Sequence, residues 1–135
     1  MDTTTFAYIA GFLDGDGSIF FQIVKTKSKK QPFKIRSSVA FYQKTCNAEI
    51  LRMLQIFFGA GYIRQRKTDM SDYTVVVPSE VKKILLSLLP YVKLKKKQID
   101  LGLEILARLE QRQSQEEFLE ICHLVDKFGE MNYSR

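Results

Sequence analysis

The chain is poor in the residues that build disulfide frameworks and zinc sites. It has two cysteines, Cys46 and Cys122, and one histidine among 135 residues, which is too few for either kind of site. Three prolines and seven glycines beside 12% aromatic residues argue against disorder. No apolar run approaches the roughly 20 residues that span a bilayer, and residues 1–5 lack the basic stretch of a signal peptide. We therefore expect an intracellular protein without a membrane partner or a structural metal.

Acidic residues are almost missing from the middle of the chain. Residues 20–67 hold one acid, Glu49, against eleven bases, whereas residues 104–130 hold seven acids against three bases. The net charge is +6 and the isoelectric point is about 9.3. Segregated charge favours a polyanion bound on one side, such as nucleic acid. A solvated basic face would give the same composition, so this alternative stays open.

An apolar segment near the start predicts a helix with two different faces. Residues 6–13 are apolar throughout, which also fits a buried strand, but Ala7, Ala10 and Gly11 recur at the spacing of one helical face. The larger apolar residues share another face. Because a helix that is apolar all round must be covered on both sides, we expect a second copy of the chain against the small residues.

The remaining pattern predicts two strand pairs, each followed by a helix, and further helices at the end. Strands are predicted at 18–26, 34–42, 62–67 and 73–77, and helices after Thr45 as N-cap up to Gly59, at 78–90, at 95–110 and at 115–128. A turn is expected at 69–72, a capping box at Ser114 and Glu117, and a stop at Gly129. The whole chain, 1–135, is expected to form one α+β domain of tandem ββα units. Its four-stranded antiparallel sheet carries helices on one face.

The sheet face opposite the predicted core suits base recognition. It carries bases, amides and one acid, namely Gln22, Lys34, Arg36, Arg64, Arg66 and Asp72. These are the groups that read base edges in the major groove of DNA. The charge pattern and the strand pattern therefore agree.

Two acids and two glycines follow the first helix in the sequence Asp14-Gly15-Asp16-Gly17-Ser18. An EF-hand loop is excluded because neither register places an acid at its twelfth position. A dinucleotide-binding loop is excluded because no third glycine follows and no strand precedes. Taken alone, the segment fits either a divalent-cation site or a tight helix-to-strand turn.

With its helix, the same segment resembles a known signature. Residues 8–19, YIAGFLDGDGSI, are similar to the motif of the LAGLIDADG homing endonucleases. The segments QKT (43–45), GYIRQR (61–66), SDY (71–73) and PYVKLKKKQ (90–98) also resemble parts of that family. The best fit is the single-motif, homodimeric branch typical of group I introns.

The resemblance implies a divalent-metal-dependent, site-specific DNA endonuclease. In this family the signature helices of two domains form the dimer interface, here with Ala7, Ala10 and Gly11, and two saddle-shaped sheets bind a long pseudo-palindromic duplex. Cleavage across the minor groove leaves short 3′ overhangs. No small-molecule substrate is implied.

The resemblance also assigns the catalytic positions. Asp16, with the main-chain carbonyl of Gly15, corresponds to the ligands of Mg²⁺, for which Mn²⁺ or Ca²⁺ could substitute. Gln43 corresponds to an amide that orients solvent, and Lys95 to a base near the scissile phosphates. Asp14 is interpreted as a helix-end acid and not as a ligand.

The family positions that contact DNA are Gln22, Val24, Thr26, Lys34, Arg36, Arg64, Arg66, Asp72 and Thr74. Arg64 and Arg66 are expected to read guanine, and Asp72 either orients an arginine or accepts from cytosine. The loop 27–30 is expected to contact phosphate. Asn47 stands where relatives often carry an arginine, and whether another cation compensates for it is open.

Two other functions remain alternatives. A splicing cofactor (maturase) or DNA-binding regulator would keep the fold and the dimer but lose cleavage, usually with an altered motif acid. A basic RNA-binding module unrelated to this family would be a monomer. The location, in a chloroplast, a mitochondrion or the bacterial cytoplasm, also stays open.

Overall fold

The computed structural model describes residues 3–133, without the side chain of Tyr133. The elements in chain order are α1 (Thr3–Asp16), β1 (Gly17–Lys25), β2 (Phe33–Lys44), a 3₁₀ turn (Thr45–Asn47), α2 (Glu49–Phe58), β3 (Tyr62–Gln65), β4 (Met70–Val75), α3 (Pro78–Leu88), α4 (Lys96–Leu109) and α5 (Gln115–Tyr133). This order confirms the predicted α+β arrangement. No helix in the described range is long and apolar enough to cross a membrane.

The four strands form one antiparallel sheet in the order β1-β2-β4-β3. The two hairpins therefore lie side by side, and β2 and β4 meet in the centre. In this register Gln22 lies opposite Arg36, and Arg64 lies opposite Asp72. Side chains alternate between the faces of a strand, so all four residues share one face, as predicted.

The other face of the sheet carries the hydrophobic core. Six strand residues with at most 5% exposure point into it, namely Ile19, Phe21, Val39, Phe41, Tyr73 and Val75. Helices α1, α3 and α5 pack against this layer of side chains. The polar face is thereby left uncovered by the protomer's own helices.

Helix α1 buries a wider stripe than its sequence suggested. Ile9 and Leu13 are buried as expected, and Phe6 packs against Phe57. Ala10 is 0% exposed, so placing it on a face open to a second chain was wrong. The reason is geometric: Ala10 lies three residues before Leu13, on the same side of the helix. Ala7 and Gly11 do remain exposed.

Three predicted boundaries were also wrong. Thr45 starts a 3₁₀ turn and bonds Ser71 Oγ at 3.0 Å, while α2 begins at Glu49 after Ala48. The turn between β3 and β4 precedes Met70, because the Arg66 N–H donates to the Met70 carbonyl. The stop at Gly129 fails because α5 runs on to Tyr133. The end of α2 at Gly59, in the left-handed region at φ 67°, is confirmed.

Candidate active site

The last residue of α1, Asp16, is exposed at the junction with β1. The chain can turn there because residue 17 is glycine. A Cβ at Gly17 would lie 2.9 Å from Leu13 Cα and 3.0 Å from Leu13 O, so any other residue there would force the backbone to shift. The junction thus combines an exposed carboxylate with the unpaired carbonyls of a helix C-terminus. The carboxylate is negatively charged and the carbonyl oxygens carry partial negative charge, so both suit a cation.

Asp14 has a different environment from Asp16. Its Oδ2 accepts the backbone N–H groups of Lys93 at 2.6 Å and Leu94 at 3.2 Å, and its Oδ1 accepts that of Lys95 at 3.2 Å. Both carboxylate oxygens are therefore committed to backbone donors. Asp14 lies in the last turn of α1, as predicted, its backbone partners were not predicted, and its exclusion from the metal ligands stays a prediction.

A depression of about 620 Å³ lies along the exposed side of α1 and brings predicted site residues together. Its lining includes Asp16, Gln43, Asn47, Gly11 and Ala7. The Gln43 Oε1 accepts the backbone N–H of Lys44 at 3.1 Å, which fixes the amide. The Gln43 amide and the Asp16 carboxylate thus border one open space beside the small-residue surface of α1.

Lys95 lies in a second depression, of about 750 Å³, at the same junction. Gly15, Asp14 and Gln98 also line it. The structure therefore brings Lys95 to Gly15, and Gln43 to Asp16, in neighbouring depressions. In the range 3–133, no cluster of three or more His, Cys, Asp or Glu residues could hold a metal ion. A cation at Asp16 would need further ligands from outside the chain.

The predicted DNA-contacting residues on β1 and β2 are mostly accessible. Gln22, Lys34 and Arg36 are exposed, and Val24 is half-buried opposite Lys34. Thr26 follows β1, where its N–H donates to the Pro32 carbonyl at 2.7 Å and its hydroxyl donates to the Gln31 carbonyl. Thr26 therefore closes the loop between the two strands.

On β4, Asp72 is fully buried and organises the arginines beside it. Its Oδ1 accepts from Arg66 Nε at 2.8 Å and from Arg64 Nε at 3.4 Å, and its Oδ2 accepts from Thr74 Oγ1 at 2.6 Å. Burial by itself would raise the pKa of the Asp72 carboxyl. The hydrogen bonds from Thr74 and Arg66 and the two arginine charges outweigh burial and lower the pKa of the Asp72 carboxyl below its usual value.

This geometry decides between the two roles predicted for Asp72. The side chain has no exposed surface, so a direct contact with cytosine was wrong and the orienting role is the one present. Thr74 is 7% exposed and donates its hydroxyl to Asp72, so it helps to hold that carboxylate, and its direct contact with DNA stays a prediction. Arg64 and Arg66 keep side-chain exposures of 54% and 44% while their Nε atoms are held.

Tyr42 belongs to the same surface and was missed in the sequence. The Arg66 guanidinium lies 5.6 Å from the centre of its ring, and Ser18 Oγ donates to its hydroxyl at 3.0 Å. Strand alternation could have revealed it, because Tyr42 lies an even number of residues after Arg36 and therefore on the same face of the predicted strand. In the structure Tyr42 pairs with Asp72. The ring of Tyr42 thus packs against the Arg66 guanidinium on this face of the sheet.

Comparison with known proteins finds similar DNA endonucleases. The DNA endonuclease I-CvuI of Chlorella vulgaris is 35% identical over 128 residues, 95% of this chain and 80% of that protein. The DNA endonuclease I-CreI of Chlamydomonas reinhardtii is 40% identical over 131 residues, 95% of this chain and 78% of that protein. A crystal structure of the homing endonuclease I-CvuI in complex with its target, in the presence of calcium, has a TM-score of 0.91 at 33% identity, covering 98% of this chain and 85% of that chain. The family model named LAGLIDADG endonuclease matches residues 9–107, and the chain belongs to this family.

Proposed function

We propose that the protein is a site-specific double-strand DNA endonuclease of the homing type, active as a homodimer. The observation that carries this proposal is the position of Asp16. It lies exposed where the small-residue surface of α1 meets the junction with the DNA-facing sheet. The relatives of this chain, I-CvuI and I-CreI, are DNA endonucleases. The family resemblance and the segregated charge of the sheet point to the same substrate.

The junction fits a divalent cation in its chemistry. Asp16 would supply a carboxylate oxygen and Gly15 a main-chain carbonyl, and both are the hard oxygen ligands that Mg²⁺ prefers. Mn²⁺ or Ca²⁺ could substitute, and crystal structures of I-CvuI with DNA were obtained in the presence of calcium or magnesium. When bound, the cation would polarise the scissile phosphate and lower the pKa of a water ligand. DNA phosphates and water would complete its coordination.

The chain's own residues then have separate tasks. The Gln43 amide, in the same depression as Asp16, orients the attacking water by a hydrogen bond. The Lys95 ammonium stabilises negative charge that develops on the phosphate. The exposed basic side chains of the sheet hold the duplex in register through contacts with nucleobase edges and phosphates. Cleavage across the minor groove would leave short 3′ overhangs.

The proposal of a homodimer rests on the number of catalytic carboxylates that one chain supplies. One chain offers one exposed motif acid, while a duplex has two strands to cut. Ala7 and Gly11 stay exposed on α1, and their small size lets a second helix approach closely. Two copies related by a twofold axis would place one Asp16 near each scissile phosphate.

Selection from randomised duplex DNA tests the proposal. The wild-type protein is expected to enrich a pseudo-palindromic site and to cut it only with a divalent cation. Asp16→Asn should retain affinity for that site and lose cleavage, while Asp100→Asn, at an exposed acid on α4, serves as the matched control. Cleavage by Asp16→Asn at the wild-type rate would contradict the catalytic assignment. A wild-type chain that binds but never cuts would favour the regulator or splicing-cofactor alternative.

A further inference from the structure

The segment before α4 is tied to α1 through a long-range contact. Three consecutive N–H groups, those of Lys93, Leu94 and Lys95, point at the carboxylate of Asp14. These donors are 79 to 81 residues away from Asp14 in sequence. Successive backbone N–H groups aimed at one point form a small anion-binding concavity. A negatively charged carboxylate therefore accepts these three hydrogen bonds more strongly than a neutral side chain would.

The start of α4 needs such a partner. Lys95 is its N-cap residue and makes no side-chain cap, and a cation is the wrong charge for the positive end of a helix dipole. The Asp14 carboxylate supplies the missing acceptor and the missing negative charge from another element. This explains why a lysine can occupy that position.

A second contact fixes the same region. Gln98 Nε2 donates to Asn132 Oδ1 at 2.9 Å, and Asn132 Nδ2 donates to the Ile19 carbonyl at 3.2 Å. The first turn of α4 is thus attached to β1 just beyond the α1–β1 junction, while Asp14 attaches it just before Asp16. Lys95 is held relative to Asp16 from two directions.

We propose that Asp14 is a positioning residue that sets the place of Lys95 relative to Asp16. This inference rests on the proposed function of Lys95 and Asp16 in DNA cleavage. Asp14 acts through backbone N–H groups and touches neither the substrate nor a metal. Its loss shifts the Lys95 ammonium away from the scissile phosphate, and a misplacement of about 1 Å costs on the order of 10²-fold in rate.

Two variants and a matched control test this role. Asp14→Ala removes the acceptor, and Asp14→Asn keeps one neutral oxygen. Ser114→Ala is the control, because Ser114 and Glu117 form the capping box of α5, away from the junction. Each protein is measured for amide hydrogen exchange at residues 93–95, for affinity for the selected duplex in EDTA, and for the single-turnover cleavage rate with saturating Mg²⁺.

For Asp14→Ala we expect exchange at residues 93–95 to be faster by about tenfold or more, because the charge-assisted hydrogen bonds that protect these amides are removed. Its cleavage rate should fall by about 10²-fold with affinity changed less than about threefold, and Asp14→Asn should be intermediate. Wild-type cleavage by Asp14→Ala, or unchanged exchange at residues 93–95, would overturn the proposal. An equal loss of cleavage in Ser114→Ala would also overturn it, because general destabilisation would then be sufficient.

The exchange measurement separates this inference from the proposed function. It needs no DNA, so a wild-type chain that cuts nothing would overturn the endonuclease proposal alone, and the exchange rates would still decide whether Asp14 holds Lys95. Asp16→Asn should lose cleavage without faster exchange at residues 93–95. If Asp16→Asn accelerates that exchange as much as Asp14→Ala does, the separate role of Asp14 is contradicted.

Discussion

At the scale of single residues, three aspartates use their carboxylates in three ways. Asp16 is exposed at the end of α1, Asp14 accepts three backbone N–H groups, and Asp72 is buried against two arginines and a threonine. The same side chain is thus a candidate ligand, a helix cap and an orienting group. Its surroundings decide which.

The lowered pKa of Asp72 makes a pH-dependent contribution to stability. A carboxyl whose pKa is lower in the folded chain stabilises it above the unfolded pKa of about 3.9, and this contribution is lost as the pH falls through the folded pKa. Asp72→Asn should therefore be less stable than wild type by about 1–2 kcal/mol at pH 7. The difference should shrink between pH 4 and pH 2.

Urea unfolding across that pH range measures the effect. Asp69→Asn, at an exposed acid in the neighbouring turn, is the control and should differ little from wild type at either pH. A difference between Asp72→Asn and wild type that stays constant down to pH 2 would show that the carboxylate charge is not what Asp72 contributes. Base preference opposite Arg64 and Arg66 should also relax, because the amide of Asp72→Asn is neutral and keeps one acceptor oxygen where the carboxylate has two for both arginines and Thr74.

Single-residue roles were predictable where they depend on local order and not where they depend on distant partners. The motif placed Asp16 at a helix end, and strand alternation placed Arg64 and Asp72 on one face. The three donors to Asp14 lie about eighty residues away, so no local pattern could reveal them. Ala10 was misplaced because small size alone does not tell which neighbour covers a residue.

At the scale of elements, the α1–β1 junction depends on close contact between Gly17 and the preceding helix turn. Gly17→Ala would place a Cβ 2.9 Å from Leu13 Cα, and we expect it to lower the free energy of unfolding by about 1–3 kcal/mol. Gly129→Ala, on α5 and away from the surface of α1 that a second chain would cover, is the matched control, because a Cβ there meets nothing within 4 Å. Inside a helix it should be neutral or stabilise by up to about 1 kcal/mol. Thermal unfolding of both variants decides, and equal stabilities would contradict the steric account.

The loop between β1 and β2 is expected to contribute affinity without sequence preference. Lys29 and Lys30 are exposed there, and removing one lysine that binds a phosphate should reduce the slope of log K against log salt by about 0.9. The double variant of both to Gln should weaken binding to selected and random duplexes alike. Lys83 and Lys127, exposed on α3 and α5, give the control pair. If the salt dependence becomes flatter in the control variant and stays unchanged in the loop variant, this assignment is refuted.

Element boundaries were less predictable than element types. Gly129 is a usual helix stop, yet α5 continues because Asn132 finds partners in Gln98 and the Ile19 carbonyl and Met131 packs against the core. Likewise β4 includes Ser71 and Asp72, which read as turn residues, because both are buried and hydrogen-bonded. Tertiary partners outweighed local propensity in both places.

At the scale of the whole molecule, basic residues lie on the open face of the sheet and many acidic residues lie in the C-terminal helical region. The sheet presents bases on the face that the helices leave open, whereas the acids of residues 104–130 belong to α4, α5 and the loop between them. Composition predicted this separation, and periodicity predicted the α+β class. The meeting of β2 with β4 at the centre was not predictable from periodicity, because strand neighbours depend on how the helices pack.

The central claim is that two copies of Asp16, one from each chain, are needed to break both strands of one duplex. Mixed dimers that combine a wild-type chain with an Asp16→Asn chain test it on a plasmid that carries the selected site. We expect wild-type dimers to produce linear DNA, Asp16→Asn dimers to leave the plasmid intact, and mixed dimers to break at most one strand. Linear product from mixed dimers at the wild-type rate would contradict the account.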